Sequence, residues 1–278
     1  MPDLRLDRLA TLYLFQPLQW LGMSASGVPI LMYHSISGID ERDRHAYYRI
    51  ATDPEVFGAH LRYLRDHRYT AIGLEEAVRV LSGTAARPTR PVVLTFDDGY
   101  DDFFITAFPI LRRFGFSATV FLPTAYIGKT AREFESRRCL TWEQVRELRR
   151  GGVEFGSHTV SHPQLNRLRM QDVEQEIRCS KEQIEEKLGC AVKSFSYPYA
   201  FPETDRVFRE RVRGVLEAAG YENGVSTILG TAGRASDRFF LERLPVNSAD
   251  DREFFGAKLA GAYNWLHWAQ YGYKRARV

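Results

Sequence analysis

The hydrophobic pattern of this chain predicts an α/β fold, a parallel sheet closed as a (β/α) barrel of about seven strands. Two observations carry that expectation. Short apolar runs recur from end to end at 28–33, 91–96, 118–122, 153–156, 193–197, 224–228 and 241–246. Several are near-continuous rather than alternating, as strands covered on both faces are. Between them lie segments of helical period with recognisable ends, and strands alternating with helices make a parallel sheet. Seven repeats in roughly 250 residues suit a barrel better than an open sheet.

The helix ends are written in capping chemistry. Asp53-Pro54 offers an N-cap and a first-turn proline. Thr141 and Gln144 have capping-box spacing for a helix running to Arg150, stopped by Gly151-Gly152. Residues 171–188 place Val173, Ile177, Ile184 and Leu188 on one stripe before Gly189, and 205–219 end at Gly220.

With 44% apolar and 26% charged residues, the composition is that of a globular protein. The net charge of +3 is small and the Lys and Arg residues are scattered, which argues against a nucleic-acid surface. Cys139, Cys179 and Cys190 have no CxxC spacing. They suit a reducing compartment or buried thiols better than a disulfide framework, and any metal must use other ligands. With no linker-like stretch and no internal repeat, residues 28–278 read as a single domain behind an N-terminal extension, 1–27.

That extension holds a charge-free run, 9–23, preceded by Arg5 and Arg8 and followed by Ser24-Ala25-Ser26. The outline is similar to a signal peptide. Asp3 and Asp7 in its first part, and Gln16, Pro17 and Gln19 within the run, favour a docked or membrane-surface helix instead. The run is too short to span a bilayer. The expected location is the cytoplasm or the membrane periphery.

In parallel α/β folds the reacting groups sit at the C-terminal ends of strands, on the loops just beyond them. Asp97-Asp98-Gly99 comes directly after the run at 91–96. Successive residues leaving a strand point in different directions, so one carboxylate can bind a metal while its neighbour stays free as a base. His158 and His162, four apart, come after the run at 153–156, and can present two imidazoles to one ion. An acidic turn explains the first pair on residue types alone, and surface histidines the second. Their coincidence at two strand ends favours a site of two histidines and one carboxylate, with positions left for water and substrate. His34 ends the first run, and Tyr197-Pro198-Tyr199 closes another.

The motifs TFDDGY, HTVSH and YPY, in this order over about residues 28–248, resemble the polysaccharide deacetylase family with the NodB-homology domain, carbohydrate esterase family 4. The resemblance implies a distorted (β/α) barrel. It makes Asp98, His158 and His162 the ligands of a divalent ion, zinc by default with cobalt, nickel or iron also suited. Asp97 becomes the general base, and the backbone N–H of Tyr199, after Pro198, an oxyanion donor. Two motifs depart from the family pattern. The arginine expected before Pro198 is absent, since Ser196 occupies its place, and Arg243 in the late run LERLPV is the candidate to replace it. The C-terminal histidine motif is also missing, while ILMYH at the front is similar to that motif in the permuted branch acting on poly-N-acetylglucosamine, which gives His34 the role of general acid.

The implied function is removal of N-acetyl groups from an amino-sugar polysaccharide or glycan precursor. A deformylase or O-acetyl esterase on another sugar conjugate, and a carbohydrate-binding protein without catalysis, are the alternatives. Near the C-terminus, the aromatic stretch 263–271 reads as a helix packed on the barrel rather than a sugar platform. Lys274, Arg275 and Arg277 make a basic tail, a solvated end or a membrane-surface contact.

Overall fold

The computed structural model describes residues 5–20 and 27–275. Asp3, Ser24-Ala25-Ser26 and Arg277 lie outside them. Seven parallel strands form the barrel: β1 (Ile30–Tyr33), β2 (Pro91–Phe96), β3 (Thr119–Leu122), β4 (Glu154–Ser157), β5 (Ser194–Ser196), β6 (Asn223–Leu229) and β7 (Leu241–Pro245). They succeed one another around the wall in chain order. β1 closes it, pairing with β2 from Ile30↔Val93 to Tyr33↔Phe96 and with β7 at Leu31↔Leu244. A two-residue strand, Thr70–Ala71, pairs with Pro91 and Val92, at the end of β2 that β1 does not reach. That extra strand distorts the cylinder.

All seven apolar runs become strands, that at 91–96 with its bounds unchanged and the others trimmed or extended by one or two residues. β1, β2 and β3 are buried along their whole length, which is why their sequences do not alternate.

The helices that cover the strands are α1 (Pro54–Asp66), α2 (Leu74–Ser82), α3 (Phe108–Phe114), α4 (Trp142–Arg150), α5 (Met170–Leu188), α6 (Arg206–Ala218), α7 (Arg252–Leu259) and α8 (Trp265–Arg275). The expected caps form. The Asp53 carboxylate accepts from the Glu55 N–H at 2.8 Å, Thr141 and Gln144 close a capping box, and Asp205 caps α6 through the Phe208 N–H. The longer helices turn an apolar stripe inward, as α1 does with Phe57, Leu61 and Leu64 and α6 with Phe208, Val212 and Leu216. The short helices α2, α3 and α7 went unforeseen: with 9, 7 and 8 residues, they offer about two turns of periodicity, too little to separate from a strand or loop.

Before the barrel, a helical stretch (Leu6–Ala10, Thr11–Phe15 and Gln16–Trp20) lies against α7 and α8. Leu12 packs with Ala257 and Ala262. Arg8 donates to Asp251 at 2.7 Å, Tyr263 to Asp7 at 3.0 Å, and the Trp265 indole to Thr11 at 2.9 Å. The Phe15 and Trp265 rings stack at 5.0 Å. The docked-helix reading of the extension, and the packing reading of the aromatic stretch, hold for these residues.

Candidate active site

The strand register brings the predicted residues to one rim. Tyr33 pairs with Phe96, and the Asp97 N–H donates to the Tyr33 carbonyl at 3.0 Å, so His34 and Asp97 leave adjacent strands side by side. His34 is half-buried and lies within electrostatic range of Asp97, Asp98 and His162. After β2 the chain reverses through two left-handed residues, Asp98 (φ 70°) and Gly99 (φ 60°). The second is suited to glycine, and the first is a strained position for a residue with a Cβ. Gly156 serves closeness instead: a Cβ there would stand 2.4 Å from the Phe121 ring and 2.8 Å from the Ser194 carbonyl, so only glycine lets β3, β4 and β5 draw together just below the rim.

The reversal carries the Asp98 carboxylate toward the histidines. Its Oδ1 lies 3.5 Å from His158 Nε2 and 3.4 Å from His162 Nε2. Both distances are too long for good hydrogen bonds, and Asp98 Oδ1 has no hydrogen-bond partner although it is buried. Two donor atoms sharing a tetrahedral ion at about 2.0–2.1 Å stand about 3.4 Å apart. The separations therefore match donors arranged around a common cation. Among the described residues, Asp98, His158 and His162 are a group whose donor atoms all lie within 4.8 Å of one another.

The remaining nitrogen of His158 fixes its tautomer. Nδ1 donates to the Ser196 carbonyl at 2.8 Å, because a carbonyl can only accept, which leaves Nε2 to face Asp98. Burial acts to lower the His158 pKa, but the Asp97 and Asp98 carboxylates outweigh it and raise it. Burial lowers the pKa of His162 and the charge of His158 adds to it, pushing it down to about 4. His162 is thus neutral at ordinary pH. Its ring packs between Phe134 (centroids 4.9 Å apart) and Tyr199 (4.8 Å).

The loop from Thr159 to His162 needs outside support, since Thr159 (φ 70°) and His162 (φ 56°) are both left-handed, a strain of about 1–3 kcal/mol each. Glu176, on α5, supplies it: its carboxylate accepts from the Val160 N–H (2.8 Å), the Ser161 N–H (2.9 Å) and the Ser161 hydroxyl (2.7 Å). Sequence reading missed Glu176, because an acidic residue on a charged helix face carries no distinguishing signal.

Asp97 points elsewhere, into the barrel. Arg243, on β7 and fully buried, grips it as a fork, with Nη1 donating to Oδ1 at 2.8 Å and Nη2 to Oδ2 at 2.7 Å. The guanidinium also donates to Thr95 Oγ1, Ser196 Oγ and the Ser226 carbonyl, so a buried cation has no idle donor face. Burial acts to raise the Asp97 pKa, but the Arg243 and His158 charges outweigh it and hold the carboxyl well below its usual range. Arg243, the candidate for the missing motif arginine, thus contacts Asp97 directly.

Tyr199 is left-handed (φ 59°) and half exposed. Thr227 braces its loop, donating to the Tyr199 carbonyl at 3.2 Å and accepting from the Phe201 N–H at 2.8 Å. Another brace, unanticipated, holds the His34 loop. Ser35 Oγ donates to Asp102 at 2.5 Å and accepts from Arg137 at 2.8 Å, and Arg137 continues to Glu41 at 2.9 Å. These residues are spread over three loops, and no local spacing announces them.

The sequence profile of the polysaccharide deacetylase family matches residues 84–224. The chain is 31% identical to YxkH of Bacillus subtilis over 230 residues, 83% of this chain and 75% of that protein. The chain belongs to the polysaccharide deacetylase family. The poly-beta-1,6-N-acetyl-D-glucosamine N-deacetylase of Escherichia coli K12 is 31% identical over 143 residues, 48% of this chain but 21% of that longer protein. Among solved structures, the Streptococcus pyogenes deacetylase PplD in complex with acetate superposes with a TM-score of 0.73 at 27% identity, covering 84% of this chain and 98% of that one. IcaB from Ammonifex degensii shares the fold at a TM-score of 0.71 and 23% identity, over 86% and 98% of the two chains.

Proposed function

We propose that this deacetylase is a metal-dependent hydrolase that removes N-acetyl groups from an amino-sugar polymer or its precursor, with residues 28–278 as one catalytic unit. The observation that carries the reading is the spacing of Asp98, His158 and His162 beside a free carboxylate, Asp97, that a buried arginine holds. A divalent ion bound by those three, zinc first and cobalt, nickel or iron also compatible with the donor set, supplies Lewis acidity toward the acyl oxygen and acidifies water.

The chain's own groups do the rest. Asp97 takes the proton of the attacking water. Arg243 keeps Asp97 ionised and aimed, so its efficiency as a base rests on position rather than on a high pKa. The Tyr199 N–H, next in the chain to Pro198, donates to the oxygen that gains charge as water adds to the carbonyl. His34, as imidazolium, protonates the departing nitrogen while the C–N bond breaks, giving acetate and a free amine. The half-exposed Tyr199 ring offers a face to a sugar. The names of the E. coli and staphylococcal relatives support a poly-N-acetylglucosamine substrate.

The test combines metal content with acetate release from β-1,6-linked N-acetylglucosamine oligomers, against acetylated xylan and formylated sugar. Chelation abolishes turnover, and zinc or cobalt restores it. Asp97→Asn retains the ion and loses turnover, whereas His158→Ala loses both. Unchanged turnover in Asp97→Asn would refute the assignment of the base.

A further inference from the structure

Exposed large apolar side chains concentrate at one place on this molecule. Of the eleven among the described residues, six (Leu6, Leu9, Tyr13, Leu14, Leu18 and Trp268) lie on the N-terminal helix and on α8. Leu6, Tyr13, Leu14 and Trp268 are 69%, 70%, 64% and 73% exposed. The helix that carries most of them is pinned to the barrel by its other side, through Arg8–Asp251, Asp7–Tyr263 and the Phe15–Trp265 stack. Docking on the barrel therefore leaves these side chains uncovered.

The charge pattern says what covers them. Residues 9–33 contain no ionisable acid or base other than tyrosine, and residues 254–278 contain Lys258, Lys274, Arg275 and Arg277 but no Asp or Glu. Lys258 is buried against Asp250 at 2.8 Å, which leaves the three cations of the tail. The acids of the docked face, Asp7, Asp251 and Glu253, are engaged by Arg5 and Arg8. Exposed apolar side chains together with a C-terminal stretch that carries three cations and no acid match a bilayer interface with anionic headgroups. A neutral or cationic protein surface offers no complement to the tail. No helix among the described residues is long and apolar enough to cross a membrane, so the fit is to the surface.

α8 also ties this face to the catalytic rim. It runs back beside the N-terminal helix, where Gln270 donates to the Tyr47 hydroxyl at 3.3 Å and His267 pairs with Glu203 at 2.5 Å. Tyr47 and Glu203 lie on the loops after β1 and β5, the strands whose ends carry His34 and Ser196.

We infer that the N-terminal helix and α8 together seat the protein on an anionic bilayer surface, with the tail of α8 reaching toward the rim that carries the active site. The inference is independent of the acyl chemistry, because its readout is binding.

The experiment is flotation of the full chain with vesicles of phosphatidylcholine and phosphatidylglycerol, against vesicles of phosphatidylcholine alone, alongside light scattering for oligomeric state. The wild type floats with the anionic vesicles, and added salt weakens it. Tyr13→Ser/Leu14→Ser, at exposed positions, and Lys274→Glu/Arg275→Glu/Arg277→Glu each lower partitioning at least about tenfold, the first by removing buried apolar area and the second by removing attraction to the anionic headgroups. Acetate release from a soluble oligomer stays at wild-type level in the first variant, showing an intact fold. Failure of the wild type to float, or flotation of both variants at the wild-type level, overturns the inference. So does a dimer that Tyr13→Ser/Leu14→Ser dissociates, which assigns the face to a second copy.

Discussion

Arg243 and Asp97 are 146 positions apart and form a two-pronged ion pair in the barrel interior, at 2.8 and 2.7 Å. Neither has another way to be buried: the carboxylate without the guanidinium would take up a proton, and the guanidinium cannot lose one.

Arg243→Met leaves Asp97 buried beside one hydroxyl, Ser196. The expected cost is about 3–5 kcal/mol in stability, and turnover falls by about a hundredfold or more as the base loses its aim and its charge. Arg243→Lys recovers the charge but not the fork, and remains impaired. Urea denaturation together with acetate-release kinetics checks both, and wild-type kcat in the lysine variant contradicts the geometry.

Glu176 holds the strained loop on which His162 stands. Glu176→Gln keeps one acceptor and loses the carboxylate, so zinc affinity drops by about 10–100-fold with the circular dichroism spectrum unchanged. Competition with a chromophoric chelator measures it. Unaltered affinity means that the loop holds its shape without α5.

Arg137 links the turn after β3 to the loop of His34 through Ser35 and Glu41. With Glu41 buried, Arg137→Ala takes away the arginine at 2.9 Å from its carboxylate, leaving it Arg44 at 3.5 Å and the N–H groups of Ile50 and Ala51, and costs about 1–3 kcal/mol. Glu41→Gln costs less in the Arg137→Ala background than in the wild type, because the ion pair is already lost there. If the link also steadies His34, kcat drops with little change in KM. Double-mutant denaturation curves and steady-state kinetics separate the two effects.

His60 is buried, with Nε2 donating to the Asp250 carbonyl at 2.8 Å and Nδ1 accepting from the Tyr33 hydroxyl at 3.2 Å. Burial pushes its pKa below the usual value near 6.5. The unfolded chain then binds a proton more readily than the folded one, so stability falls as pH drops through about 6.5 and levels off below the folded pKa. Urea midpoints between pH 7.5 and about 5 fall more steeply for the wild type than for His60→Gln. Parallel curves would remove His60 as a source of the pH dependence.

Much of the architecture was legible because it is local. A strand covered on both faces must be apolar throughout, and a helix must supply its own end groups, so runs such as that at 91–96 and caps such as Asp53 and Thr141 speak within a few residues. Asp97, Asp98, His158 and His162 were legible for the same reason: in a parallel barrel, the residues just past a strand's C-terminal end lie on the rim. Glu176, Asp102, Arg137 and Thr227 were not, because each acts across a gap that only packing closes. Arg243 lies between. A lone cation in an apolar strand is conspicuous, but its partner is unknown until the wall closes.

The order of residues therefore settles the alternation of strands and helices, the ends of those helices, and which reactive side chains share the rim, since each depends on short-range pattern and on the direction of a parallel strand. The folded chain alone decides which carboxylate faces the imidazoles and which faces the arginine. That choice comes from the left-handed turn at Asp98 and from closing β1 between β2 and β7, and it rests on interatomic distances that no spacing along the chain encodes.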